Sequence, residues 1–109
     1  MKKSDIRFNV TLDDNQIPEK IMWSAEDSGV QGDKECNSVM ISIWDAAEKS
    51  TLRIDLWTQK MMVEEMQHFF YETFRSMADT YVRATNDEAA ANEIKIFAEK
   101  FGKISGVIK

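Results

Sequence analysis

Apolar and polar residues alternate over residues 6–12, Ile-Arg-Phe-Asn-Val-Thr-Leu, which sets Ile6, Phe8, Val10 and Leu12 on one face of a strand. Asp13-Asp14-Asn15 is a turn signal. A second strand is predicted over about 19–25, with Ile21, Trp23 and Ala25 on one face and Met22 on the other. Pro18 lies just before it, where a missing N–H does least harm. A polar loop, roughly 26–37, follows. The third strand, about 38–45, sets Val39, Ile41 and Ile43 against Met40, Ser42 and Trp44, although this run can also be read as a short helix. Residues 46–50 have the length of a hairpin connection. The fourth strand, about 51–58, alternates Leu52, Ile54 and Leu56 with Arg53, Asp55 and Trp57.

From about Met62 the period changes. Val63, Met66, Phe70, Phe74, Met77, Tyr81 and Ala84 recur at spacings of three and four, the stripe of an amphipathic helix over about 62–85. Arg75–Asp79 and Asp79–Arg83 are spaced as i,i+4 ion pairs on its polar side. A second helix, about 87–105, is announced by Thr85 and Glu88 at capping-box spacing, with Asp87 favourable to the helix dipole. Its stripe is Ala90, Ile94, Phe97, Phe101, Ile104 and Ile108. Gly102 and Gly106 predict a frayed end. The expected architecture is therefore α+β: a four-stranded antiparallel meander followed by two helices packed on one face, ββββαα, in a single domain spanning residues 1–109.

Composition narrows the function. Hydrophobic residues at 43% and charged residues at 30% belong to a folded globular chain of one-domain length. The formal net charge of -5, with basic residues scattered, argues against a nucleic-acid partner, which needs a basic stripe. No apolar run has the length of a membrane span, and the N-terminus lacks a signal-peptide core, so no direct membrane insertion is expected. The single cysteine, Cys36, excludes an intramolecular disulfide and makes a cytoplasmic location the default.

Catalytic chemistry is thinly represented. Glu64, His68 and Glu72 are spaced to share a divalent ion, and Glu65 with His68 matches a Glu-x-x-His element. There is no second histidine, and these groups oppose the apolar stripe, so a solvated charged face is the expected reading. Cys36 sits in a polar loop with no nearby base in sequence. The glycines form no phosphate-cradling motif. No catalytic residue, metal or cofactor is expected.

The tryptophans carry more weight. If Leu52, Ile54 and Leu56 face the helices, Trp57 projects from the open face with Arg53 and Asp55, and a hairpin would bring Met40 and Trp44 there, with Met22 able to join. Three coverings remain open: another chain, local Trp packing within the hairpin, or a folded-over helix end or loop. As a hypothesis, Met40, Trp44, Arg53, Asp55 and Trp57 line a homo-oligomer or partner interface.

The segments "MKKSDIRFNVTLD", "IPEKIMWSAEDSG", "TLRIDLWT", "VEEMQHFFYETF" and "MADTYVRAT" together resemble the gliding motility-associated GldC family of Bacteroidetes-type gliding bacteria. "TLRIDLWT" followed by "VEEM" is the most specific part, and the likeness weakens beyond Thr85. The resemblance implies a non-catalytic accessory protein of the gliding-motility system that acts through protein partners of that apparatus. By fold analogy alone, a meander followed by two helices is similar to the SecB export chaperone, so a client-binding or export-adaptor module is the alternative.

Overall fold

The computed structural model describes residues 1–29 and 31–109; Val30, inside the polar loop read from the sequence, lies outside the described residues. The chain divides into two compact units, residues 1–61 and 62–109. The first is all β and the second all α, so the α+β class holds.

The first unit contains five strands: β1 (Ile6–Leu12), β2 (Pro18–Ala25), β3 (Lys34–Cys36), β4 (Ser38–Asp45) and β5 (Ser50–Trp57). They do not form one four-stranded meander. β1, β2 and β3 make one antiparallel sheet, in that order, while β4 and β5 make a separate two-stranded sheet. The correction has a local cause. Lys34-Glu35-Cys36, inside the segment read as a loop, pairs with β2 through Ile21↔Cys36, Met22↔Glu35 and Trp23↔Lys34. β3 thereby occupies the edge of β2 that β4 would have needed. A charged strand suits that position, because an edge leaves charges in water. The Lys60 ammonium meets the Glu35 carboxylate at 2.9 Å and, by that hydrogen bond and its charge, holds Glu35 below the usual carboxylate range.

The turn from β1 to β2 is built by Asp13. Its Oδ1 accepts from the N–H groups of Asn15 (2.8 Å) and Ile17 (3.0 Å), an Asx-type arrangement that lets Gln16 adopt φ 65°. Ile21, in the central strand of its sheet, is fully buried, and Val39 is nearly so. The two sheets approach each other through β2 and β5. Thr58, just after β5, is buried; its N–H donates to the Asn37 carbonyl at 2.9 Å. Its hydroxyl has no hydrogen-bond partner among the described residues.

The second unit is an antiparallel helix pair, α1 (Val63–Thr85) and α2 (Glu88–Ser105), close to the expected boundaries. The Glu65 carboxylate accepts from the Met62 N–H at 3.2 Å, tying down the first turn of α1. Asn86, left-handed at φ 60°, ends α1 with its N–H on the Val82 carbonyl. The cap of α2 lies two residues beyond the expected Thr85. Asp87 is the cap, its Oδ1 accepting from the Ala90 N–H at 3.1 Å. Thr85 is unavailable because its hydroxyl donates back to the Tyr81 carbonyl and accepts from the Asp87 N–H.

The end of α2, where Gly102 and Gly106 predict fraying, carries a defined cap. Gly106 is its left-handed C-cap, and the Ile108 N–H returns to the Gly102 carbonyl at 3.1 Å. Gly102 is buried under Tyr71. A Cβ there would stand 2.7 Å from Tyr71 Cε1, nearer than carbon atoms can pack. The seam between the helices thus runs through small buried residues, Ala78, Ala91, Ala98 and Gly102. Beside it, Phe74 packs edge-on against Phe97 and Phe101, both at 5.1 Å between ring centres. Much of the large apolar stripe, including Val63, Phe70, Met77, Phe97 and Ile104, stays exposed.

Candidate functional site

The loop joining β4 to β5 decides which side chains share a face. Asp45 Oδ1 accepts from the N–H groups of Ala47 (2.9 Å) and Glu48 (2.8 Å). The Lys49 N–H closes the loop on the Asp45 carbonyl at 2.9 Å, with Lys49 left-handed at φ 51°. The connection is therefore residues 46–49, and Asp45 pairs with Ser50. From that register follow Trp44↔Thr51, Ser42↔Arg53, Met40↔Asp55 and Ser38↔Trp57. Directly opposed residues of an antiparallel ladder point the same way, and alternate residues along a strand share a face. Met40, Trp44, Arg53, Asp55 and Trp57 thus lie on one face of one hairpin. Met22 does not join them; it belongs to the other sheet, opposite Asn9 and Glu35.

The arrangement on this face is specific. Trp44 and Trp57 are 66% and 56% exposed. They stand at opposite ends of the ladder, six positions apart by register, which is ~20 Å at 3.3 Å per residue. The rings are too far apart to pack on each other. Each instead has a small hydroxyl residue across the ladder, Thr51 beside Trp44 and Ser38 beside Trp57. Between the tryptophans lies a polar centre. Arg53 Nη2 donates to the Asp55 carboxylate at 2.5 Å, and Nη1 donates to Ser42 Oγ at 2.7 Å. Alternation along each strand already puts Ser42 with Met40 and Trp44, and Thr51 with Arg53; the register adds which residue stands opposite which, Ser38 beside Trp57 among them.

Elsewhere the reactive groups are dispersed. His68 Nδ1 lies 3.4 Å from Glu72 Oε1 on the exposed side of α1. Among the described residues, no three His, Cys, Asp or Glu side chains gather as a metal ion would require. Partial burial pushes the Cys36 thiol up, against the pull of the Ser38 N–H, and the neighbouring Glu35 charge adds to the rise. That shift is away from the reactive thiolate. The anticipated Arg75–Asp79–Arg83 ladder takes other partners: Arg75 lies over the Tyr71 ring, and Asp79 faces Lys95 at 3.9 Å. Arg83 reaches back to the Asp79 carbonyl and Thr80. An open groove of about 650 Å³ runs along α1 past Phe69, Thr73, Met77, Tyr81 and Ile94, with Glu72 as its one charged wall. No helix is long and apolar enough among the described residues to cross a membrane.

Searches of curated proteins and of solved structures each returned no match. The profile of the family described as "Gliding motility-associated protein GldC-like" matches residues 18–106 of the 109, from the start of β2 through α2. By that match across most of its length, the chain belongs to the GldC-like family of gliding motility-associated proteins.

Proposed function

We propose that this chain is a non-catalytic accessory protein of the gliding-motility system, acting in the cytoplasm through protein contacts, with Met40, Trp44, Arg53, Asp55 and Trp57 as its contact surface. The observation that carries this reading is the pair of exposed tryptophans flanking an ordered Arg–Asp centre on one hairpin face. Tryptophan and arginine are enriched among the residues that carry binding energy at protein interfaces. Membership of a family named for gliding motility supplies the system. The chaperone analogy rests on a four-stranded meander, and here the sheet is divided.

Cross-linking followed by affinity purification from the native cell tests the reading. A short, defined set of folded motility proteins should be retained by the native chain and lost from Trp44→Ser and Trp57→Ser proteins that remain folded. Retention of many unrelated unfolded clients by native and variant chains alike would replace it with the chaperone reading.

A further inference from the structure

The tryptophan face is complementary to itself. In order along the ladder, its rungs are Ser38/Trp57, Met40/Asp55, Ser42/Arg53 and Trp44/Thr51. Consider two copies of the hairpin stacked face to face about a two-fold axis that runs across the strands and passes over Ile41 and Ile54. The operation reverses the ladder, so the first rung meets the last and the second meets the third. β5 then lies over β5 of the second copy, running antiparallel to it. Arg53 falls on Asp55 of the second copy and Asp55 on its Arg53. Trp57 falls on Thr51, and Trp44 falls on Ser38. Every large ring meets a small hydroxyl residue, and every charge meets its opposite.

We propose, building on the reading of this face as a protein-contact surface, that its occupant is a second copy of the same chain, docked by this two-fold stacking. Charge selects the axis. A two-fold along the strands would also set each tryptophan over a small residue, but would place Arg53 over Ser42 and Asp55 over Met40, so that no opposite charges meet between the copies beyond the pair each copy already holds. Only the axis across the strands closes a ring of two arginines and two aspartates. Arg53 is fixed on this face by Ser42 at 2.7 Å and by Asp55. Two sheets stacked at the usual spacing of ~10 Å leave room for tryptophan and arginine side chains to reach across.

The area sets the strength. Two eight-residue strands present a footprint of roughly 26 by 10 Å, or ~260 Å², against ~800 Å² per partner in a stable complex. The self-association is therefore weak and reversible, building as the chain reaches ~0.1–1 mM.

Sedimentation equilibrium of the full chain over a concentration series tests the proposal, with folding of each variant checked by circular dichroism. The native chain should shift from monomer toward dimer over that range. Arg53→Asp sets acid on acid across the interface, and Asp55→Arg sets base on base, so each alone should lose at least ~10-fold in association. Mixing the two variants sets the two carboxylates of one copy against the two guanidinium groups of the other, and should restore association to within ~3-fold of native. A native chain that stays monomeric at ~1 mM, or single variants that associate as the native chain does, would overturn the proposal. So would a mixture no stronger than either component. If the native chain stays monomeric yet still loses its motility partners on Trp44→Ser, the second copy is wrong and the partner-contact reading stands.

Discussion

At residue scale, Gly102 and Asp87 carry the helix pair. The 2.7 Å approach of Tyr71 to the place a Gly102 Cβ would occupy makes the site intolerant of alanine. Forcing the methyl in costs ~1–3 kcal/mol of overpacking, against ~1 kcal/mol gained in helix propensity. Gly102→Ala should therefore lower the urea midpoint by the equivalent of up to about 2 kcal/mol. In a Tyr71→Ala background the same substitution should cost less or become stabilising, since the closest clash is gone and the propensity gain is opposed only by the 3.0 Å approach to Ile108. Asp87 acts through charge. Its Oδ1 caps α2 through the Ala90 N–H, and its Oδ2 accepts from the Tyr81 hydroxyl at 2.9 Å. The Ala90 N–H first, and the Tyr81 hydroxyl second, hold the carboxyl below the ordinary carboxylate range, while the same bond pushes the Tyr81 hydroxyl up. A carboxylate with a depressed folded pKa contributes stability that is present above its unfolded value, about 4, and is lost as pH falls through the folded value. Thermal midpoints recorded from pH 7 downward should thus fall less steeply for Asp87→Asn than for the native chain, from a lower starting value at neutral pH.

At the scale of elements, the β4–β5 loop sets the register of the candidate surface. Asp45 anchors two loop N–H groups at once. Asp45→Ala should cost about 1 kcal/mol in chemical denaturation, the net worth of a typical lost hydrogen bond or slightly more, whereas Asp45→Asn keeps an acceptor and should cost less. The effect on the face is larger than the energy implies. A one-residue change in register moves every side chain of a strand to the other side of the sheet. Taking 46–50 as the connection would set Asp45 opposite Thr51 and Trp44 opposite Leu52, turning Trp44 and Met40 toward the aliphatic side. The four-residue loop, closed by Lys49 at φ 51°, is what puts Trp44 beside Arg53, Asp55 and Trp57.

At the scale of the whole molecule, charge and family membership act together. The formal net charge of -5 gives the chain no attraction to a phosphate backbone, so it should pass through a heparin column unretained at pH 7 and moderate salt. The family match runs across residues 61 and 62, so the strand unit and the helix unit belong to one inherited chain. Most of what depends on near neighbours was legible in the sequence, although the Asp87 cap, two positions from the expected Thr85, was not. The period-two runs placed four of the strands, the three-and-four spacing placed both helices, and "TLRIDLWT" with its flanking segments pointed to the family. Tertiary structure decided what depends on residues far apart in the chain. β3 carries Lys34 and Glu35 and shows no alternation long enough to read; it becomes a strand only because β2 offers it an edge and Lys60 holds Glu35. Gly102 reads as a helix weakener until Tyr71, 31 positions earlier, is found against it. Periodicity reports which way a side chain points along its own element, while pairing, register and close approach are set by the partner that the chain folds against.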